Sequence, residues 1–280
     1  MKHYKKAGRV FWCHLAETAV LGALLLCVGA VRGHRVCTQH DITRIPDTSF
    51  QSYAAPAAAD ANGNGQKIVC LTFDDGPSST TPLVLETLRQ KQVPATFFVM
   101  AADNNRKYLP LIQTEADNGH QIALHTASHE YKKIYQSPES YWQDIAELLQ
   151  AISPYTDTEK IRYLRFPGGS TNTVSRKYGG SDIMKRLKAQ AQEKGYRYID
   201  WNVCAEDAAG GHPSAEEIYR NILREAQNQT VCVVLMHDTA ATKNTAKALP
   251  DVIDWFREQG YRFCTVEQMD QLCTQSPPNS

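Results

Sequence analysis

From Ile68 onward, short apolar runs alternate with longer segments whose apolar residues recur at helical spacing. Ile68-Val69-Cys70-Leu71-Thr72-Phe73, Ala95–Met100, Gln121–Leu124, Ile161–Leu164, Tyr196–Ile199, Val231–Met236 and Tyr261–Val266 read as buried strands. Between them, Leu83, Leu85 and Leu88 are assigned to one helix face. Trp142, Ile145, Leu148, Leu149 and Ile152 recur at three- and four-residue steps. Ile183, Met184 and Leu187 repeat the pattern, as do Ile218, Ile222 and Leu223, then Val252, Ile253 and Phe256. Strands alternating with helices indicate βα units and a parallel sheet.

Polar residues follow five of these strands directly. They are Asp74-Asp75-Gly76-Pro77, His125-Thr126-Ala127-Ser128-His129, Arg165-Phe166-Pro167-Gly168-Gly169, Asp200-Trp201, and His237 after Leu235-Met236. An isolated Asp-Asp-Gly-Pro is explained by turn conformation alone. Five polar groups at the ends of five such strands are not, and the C-terminal ends of strands are where barrel enzymes keep their active sites. His125 and His129 are spaced to share one face if the chain turns helical after the strand. With one carboxylate they make the three-ligand set of a catalytic zinc site, with a position left for water. Two histidines and a carboxylate also suit non-haem iron, so the donor set alone leaves the metal open. A zinc protease of the same spacing needs Glu immediately after the first histidine; Thr126 stands there.

Together these motifs resemble the NodB-homology polysaccharide deacetylases, carbohydrate esterase family 4. The resemblance covers roughly residues 66–272 and takes in the five family motifs in order. It implies an α/β fold, a distorted (β/α) barrel with fewer than eight strands. It also implies metal-dependent hydrolysis of N-acetyl groups on an extracellular glycan. Peptidoglycan is the first candidate; chitin oligomers, poly-N-acetylglucosamine and acetylated xylan are the others. By the same resemblance Asp75, His125 and His129 ligate a divalent metal, zinc or a replacement such as cobalt. Asp74 is then the general base, oriented by Arg165, and His237 the general acid, tuned by Asp200. Gly168 supplies an oxyanion N–H, while Trp201 and Leu235 line the acetyl pocket. The family has Arg-Pro-Pro-Tyr where this chain has Arg165-Phe166-Pro167-Gly168, so a tyrosine is missing from that wall. Asp207, Asp238, His120 and His212 are read as structural or surface residues. An inactive carbohydrate-binding barrel is the rival reading, opposed by the retention of Asp74, His125, His129, Arg165 and His237 together.

The N-terminus changes the picture of the compartment. Lys2, His3, Lys5, Lys6 and Arg9 precede a largely apolar run, Val10–Val31, closed by Arg32, His34 and Arg35. Such a run is long enough to cross a bilayer, which takes ~20 apolar residues. Residues 1–35 are therefore expected to anchor the chain with its remainder outside, or to be cleaved near Val28-Gly29-Ala30 as a signal. Residues 36–65, with their Ala/Pro and Asn/Gly stretches, are expected to be a linker. Residues 66–275 would be the catalytic domain and 276–280 a tail. Thirty basic and thirty acidic residues cancel, so no broad field favours nucleic acid. A monomer is expected. Of eight cysteines, Cys13 and Cys27 fall in the apolar N-terminal run, and Cys70, Cys232 and Cys264 read as small core hydrophobes. Cys264 with Cys273 is the one candidate bridge.

Overall fold

The computed structural model describes residues 66–275. The apolar segment Val10–Val31, the linker and the tail lie outside them. Among the described residues no helix is long and apolar enough to cross a membrane.

The strands are β1 (Ile68–Asp74), β2 (Thr96–Val99), β3 (Gln121–Leu124), β4 (Tyr163–Leu164), β5 (Arg197–Tyr198), β6 (Val203–Cys204), β7 (Val231–His237) and β8 (Arg262–Phe263). Seven of them run in the order β5-β4-β3-β2-β1-β7-β6, all parallel. β1 pairs with β7 along its whole length, from Ile68 opposite Val231 to Asp74 opposite His237. Its other edge is divided, with β2 against Thr72–Asp74 and the short β8 against Ile68–Val69. The expectation of fewer than eight strands therefore holds for the continuous path, and β8 joins beside it.

The path must curl. Its two ends, β5 and β6, are consecutive in the chain, and Tyr198 and Val203 are five residues apart. Five extended residues span at most ~18 Å, whereas seven flat strands would hold the edge strands ~29 Å apart. The segment Ile199–Asn202 thus crosses the opening of a distorted barrel.

Side-chain alternation along each strand sorts the core into two layers. Val69, Leu71, Phe73, Phe97, Val99, Leu124, Val234 and Met236 face outward and are buried under the helices. Ile68, Cys70, Phe98, Ala123, Tyr163, Ile199, Val233 and Leu235 face inward and fill the barrel. Helix Thr81–Lys91 buries Thr81, Val84, Leu85 and Leu88, while Leu83 is 54% exposed. Leu83 and Leu85 lie ~200° apart around a helix, so the single face assigned to them was wrong. Helix Pro138–Ile152 starts with Pro138 after Ser137, whose hydroxyl accepts the Ser140 N–H, and buries Ile145, Leu148 and Ile152 as expected.

The candidate bridge is not formed: Cys70, Cys204, Cys232, Cys264 and Cys273 are free thiols. Cys264 and Cys273 are spent on packing, buried in the barrel floor with Cys70, Val266 and Met269. Burial pushes the Cys70 thiol well up, which keeps it protonated and unreactive.

Candidate active site

The inward parity of the strands ends on chemistry. Ile68, Cys70 and Thr72 lead to Asp74, and Val233 and Leu235 lead to His237 on the neighbouring strand. Ala123 leads to His125 and Tyr163 to Arg165. One period-2 rule therefore delivers Asp74, His237, His125 and Arg165 to the C-terminal mouth of the barrel. Asp75 should face the opposite way. It is turned back by a left-handed backbone, φ 70°, a conformation Asp tolerates better than most residues.

Asp75 Oδ1 lies 3.4 Å from His125 Nε2 and 3.6 Å from His129 Nε2. That oxygen is buried and has no hydrogen-bond partner in the protein. A carboxylate oxygen left bare between two imidazole nitrogens fits a cation, and these three residues form the one such cluster among the described residues. His125 makes a 2.8 Å hydrogen bond from Nδ1 to the Arg165 carbonyl, which leaves Nε2 as the lone-pair nitrogen. Burial lowers its pKa to about 3, so the ring is neutral as a ligand must be.

The two histidines do not share a helix face, as their spacing suggested. Thr126 (φ 84°) and His129 (φ 56°) fold the segment into a loop. Asp144, fully buried on helix Pro138–Ile152, holds that loop from beneath. It accepts hydrogen bonds from the Ala127 and Ser128 N–H groups and the Ser128 hydroxyl at 2.5, 3.1 and 2.6 Å, and pairs with Lys133 at 3.0 Å. Asp144→Ala should weaken metal binding ~10–100-fold, as loss of an outer support does; competition with a graded chelator would measure it. An unchanged metal affinity would show that the loop holds itself.

Asp74 is 2% exposed and pairs with the fully buried Arg165, whose Nη1 donates to Asp74 Oδ1 at 2.7 Å. The same guanidinium donates to Thr72 Oγ1 (2.8 Å), the Ile199 carbonyl (3.0 Å) and the Asp200 carbonyl (3.2 Å), and lies 4.1 Å above the Phe98 ring. Burial raises the Asp74 pKa and the Arg165 charge opposes that rise. An acid raised but still paired is suited to accept a proton.

His237 does not pair with Asp200. Its Nδ1 is 2.8 Å from Asp207 Oδ1, and its backbone N–H donates to Asp207 Oδ2 at 2.7 Å. Thr245 holds the same carboxylate at 2.7 Å. Burial alone would lower the His237 pKa; the Asp207 charge and hydrogen bond outweigh it and raise it to about 10. Asp200 instead accepts the Ser170 N–H (2.8 Å) and hydroxyl (2.6 Å), fixing the loop after β4. The reason lies in β6. Cys204 pairs with Leu235, so two residues further along β7 the neighbouring chain has reached Glu206-Asp207, level with His237. β6 is two residues long and carries no apolar period, which hid Asp207 in the sequence.

The Pro167–Gly168 peptide is oriented by Tyr135, whose hydroxyl donates to the Pro167 carbonyl at 2.7 Å. In a trans peptide the Gly168 N–H points the opposite way. No described residue accepts that N–H, so it is free for an incoming oxygen. Trp201 and Leu235 are 8% and 6% exposed and belong to the inner apolar cluster beneath the mouth. His120 is structural, its Nδ1 accepting the Ala95 N–H at 3.2 Å. Asp238 is likewise buried, holding Thr81 and packing against Gly76.

A family model described as polysaccharide deacetylase matches residues 61–198. A Bacillus cereus peptidoglycan-N-acetylglucosamine deacetylase is 30% identical over 208 residues, covering 74% of this chain and 89% of that protein. This chain belongs to the polysaccharide deacetylase family. It is a hydrolase by that membership. Among solved structures, the catalytic domain of a peptidoglycan N-acetylglucosamine deacetylase from Eubacterium rectale superposes with a TM-score of 0.67 at 34% identity, over 79% of this chain and 97% of that one. The Xyl-CE4 domain of a multidomain xylanase, from the hindgut metagenome of Trinervitermes trinervoides, gives 0.58 at 27%, over 74% and 91%.

Proposed function

We propose that the chain is a divalent-metal-dependent N-deacetylase of peptidoglycan, acting outside the cytoplasmic membrane with zinc as the metal. The observation that carries it is the convergence at one barrel mouth of a bare Asp75 oxygen between two histidines, a buried Asp74–Arg165 pair and an Asp207-supported His237. The peptidoglycan deacetylases among its relatives support the substrate. The basic-flanked apolar run at Val10–Val31 supports the compartment.

A cation held by Asp75, His125 and His129 would polarise the acyl carbonyl and make a water acidic near neutrality. Asp74 takes the proton of the attacking water as its oxygen bonds to the acetamide carbon. The Gly168 N–H meets the charge that develops on the carbonyl oxygen. His237 then gives its proton to the amide nitrogen as the C–N bond breaks, releasing acetate and a free glycan amine.

Acetate release should be followed on purified peptidoglycan, chitin oligomers and acetylated xylan. Peptidoglycan is expected to react fastest, with activity lost in excess chelator and restored by added zinc. Faster release from xylan, or release indifferent to chelator, would overturn the substrate or the metal respectively. Glycan binding without acetate release from any of them would identify a binding barrel instead.

A further inference from the structure

We propose that the Tyr131 hydroxyl is a second hydrogen-bond donor to the substrate's acyl oxygen, working beside the Gly168 N–H. The proposal rests on the hydrolytic reading above, and it concerns a residue from a different element than the strand-end motifs. Tyr131 opens the short helix Tyr131–Ile134, two residues after His129. Its ring stands edge-on to His129, 5.6 Å between centroids at 71°, and edge-on to Tyr135 at 5.4 Å and 69°. Those two contacts fix the direction of the phenol.

It points at Gly168. A Cβ placed on Gly168 would lie 2.5 Å from the Tyr131 oxygen, so a side chain there would have to displace the phenol. The hydroxyl is therefore within about 4 Å of the Gly168 Cα, one ~1.5 Å bond further on. Glycine at 168 serves two ends: it tolerates φ 74° and it leaves room for the phenol.

The hydroxyl also has no other task. Tyr135 donates to the Pro167 carbonyl, Tyr163 to Asp270 and Tyr261 to the Gln229 carbonyl. Tyr131 makes no such hydrogen bond among the described residues, although its ring is held on both sides. A fixed donor without an acceptor, close to Gly168 with its free backbone N–H, makes a two-donor cradle for a developing negative charge.

Tyr131→Phe tests this, because it keeps both ring contacts and removes only the hydroxyl. Measured on the full chain loaded with zinc, kcat for acetate release should fall ~10²–10³-fold, as when one oxyanion donor is removed. KM, bound metal and thermal midpoint should stay as in the wild type. Isothermal titration with acetate gives a readout without turnover: affinity should drop by ~10-fold or more, since a hydrogen bond to a charged oxygen is lost. Unchanged kcat and unchanged acetate affinity would reduce Tyr131 to a packing residue and overturn the proposal. Loss of metal in step with the rate would overturn it too, by showing that the phenol supports His129. If the wild type releases acetate from none of the three glycans, the functional reading fails separately, and the acetate titration alone decides the role of Tyr131.

Discussion

Asp74→Asn is expected to retain its metal and lose turnover, whereas Asp75→Ala should lose both. The two neighbours are separated by backbone geometry. Asp74 ends the inward row of β1 and is locked to Arg165 at 2.7 Å. Asp75 is swung by its left-handed φ toward His125 and His129, with one oxygen left bare. An amide at position 74 keeps the shape but cannot take a proton from water, and removing a general base costs ~10²–10⁴ in rate. The loss should sit at the upper end, because Arg165 would then be a fully buried charge without its partner, a situation that is itself destabilising by ~3–5 kcal/mol. A lower thermal midpoint should accompany the fall in kcat. At Asp75, by contrast, His125→Ala and His129→Ala should copy the defect, since each deletes one of three donors. Elemental analysis of the purified variants beside acetate release separates the roles. Equal metal loss at 74 and 75 would mean that both carboxylates hold the ion.

What could be read from the sequence was whatever a strand period announces. The runs at Ile68–Phe73, Gln121–Leu124 and Val231–Met236 form strands close to their expected bounds, and the polar residues that follow meet at one mouth. Features that depend on backbone angle or on very short pairing were not legible. The His125–His129 spacing suggested a helix, but the two histidines meet at Asp75 through a loop with left-handed backbone at Thr126 and His129. Asp144 is a single acid inside a helical pattern, and nothing local marks it as the support of a loop sixteen residues earlier. β6 is the costliest omission. Without its register against β7, the resemblance alone paired Asp200 with His237, and Asp207, the partner in the structure, read as a structural or surface residue.

That error yields the sharpest remaining test. Asp207→Asn should move the basic limb of the pH–rate profile to lower pH, and Asp200→Asn should not. The sign follows from the proton that His237 has to donate. A general acid works in its protonated form, so activity falls as pH rises through its pKa. Burial alone pulls that pKa down, and Asp207 reverses the direction and lifts it to about 10. With an amide at 207 the lowering influence of burial is left unopposed by its main partner, and His237 is neutral over more of the neutral range. At pH 7 the rate should drop by ~10²–10⁴, approaching the loss for His237→Ala, which removes the acid outright. At lower pH, Asp207→Asn should recover part of its activity, while His237→Ala has no proton to regain and should not. Asp200→Asn disturbs the Ser170 contacts at 2.8 and 2.6 Å instead. Its expected signature is a raised KM or a lowered thermal midpoint with the limb in place, because Ser170 follows directly on the Gly168-Gly169 wall. A basic limb that moved with Asp200 and stayed with Asp207 would return the tuning role to the strand-end carboxylate, against the geometry of β6 and β7.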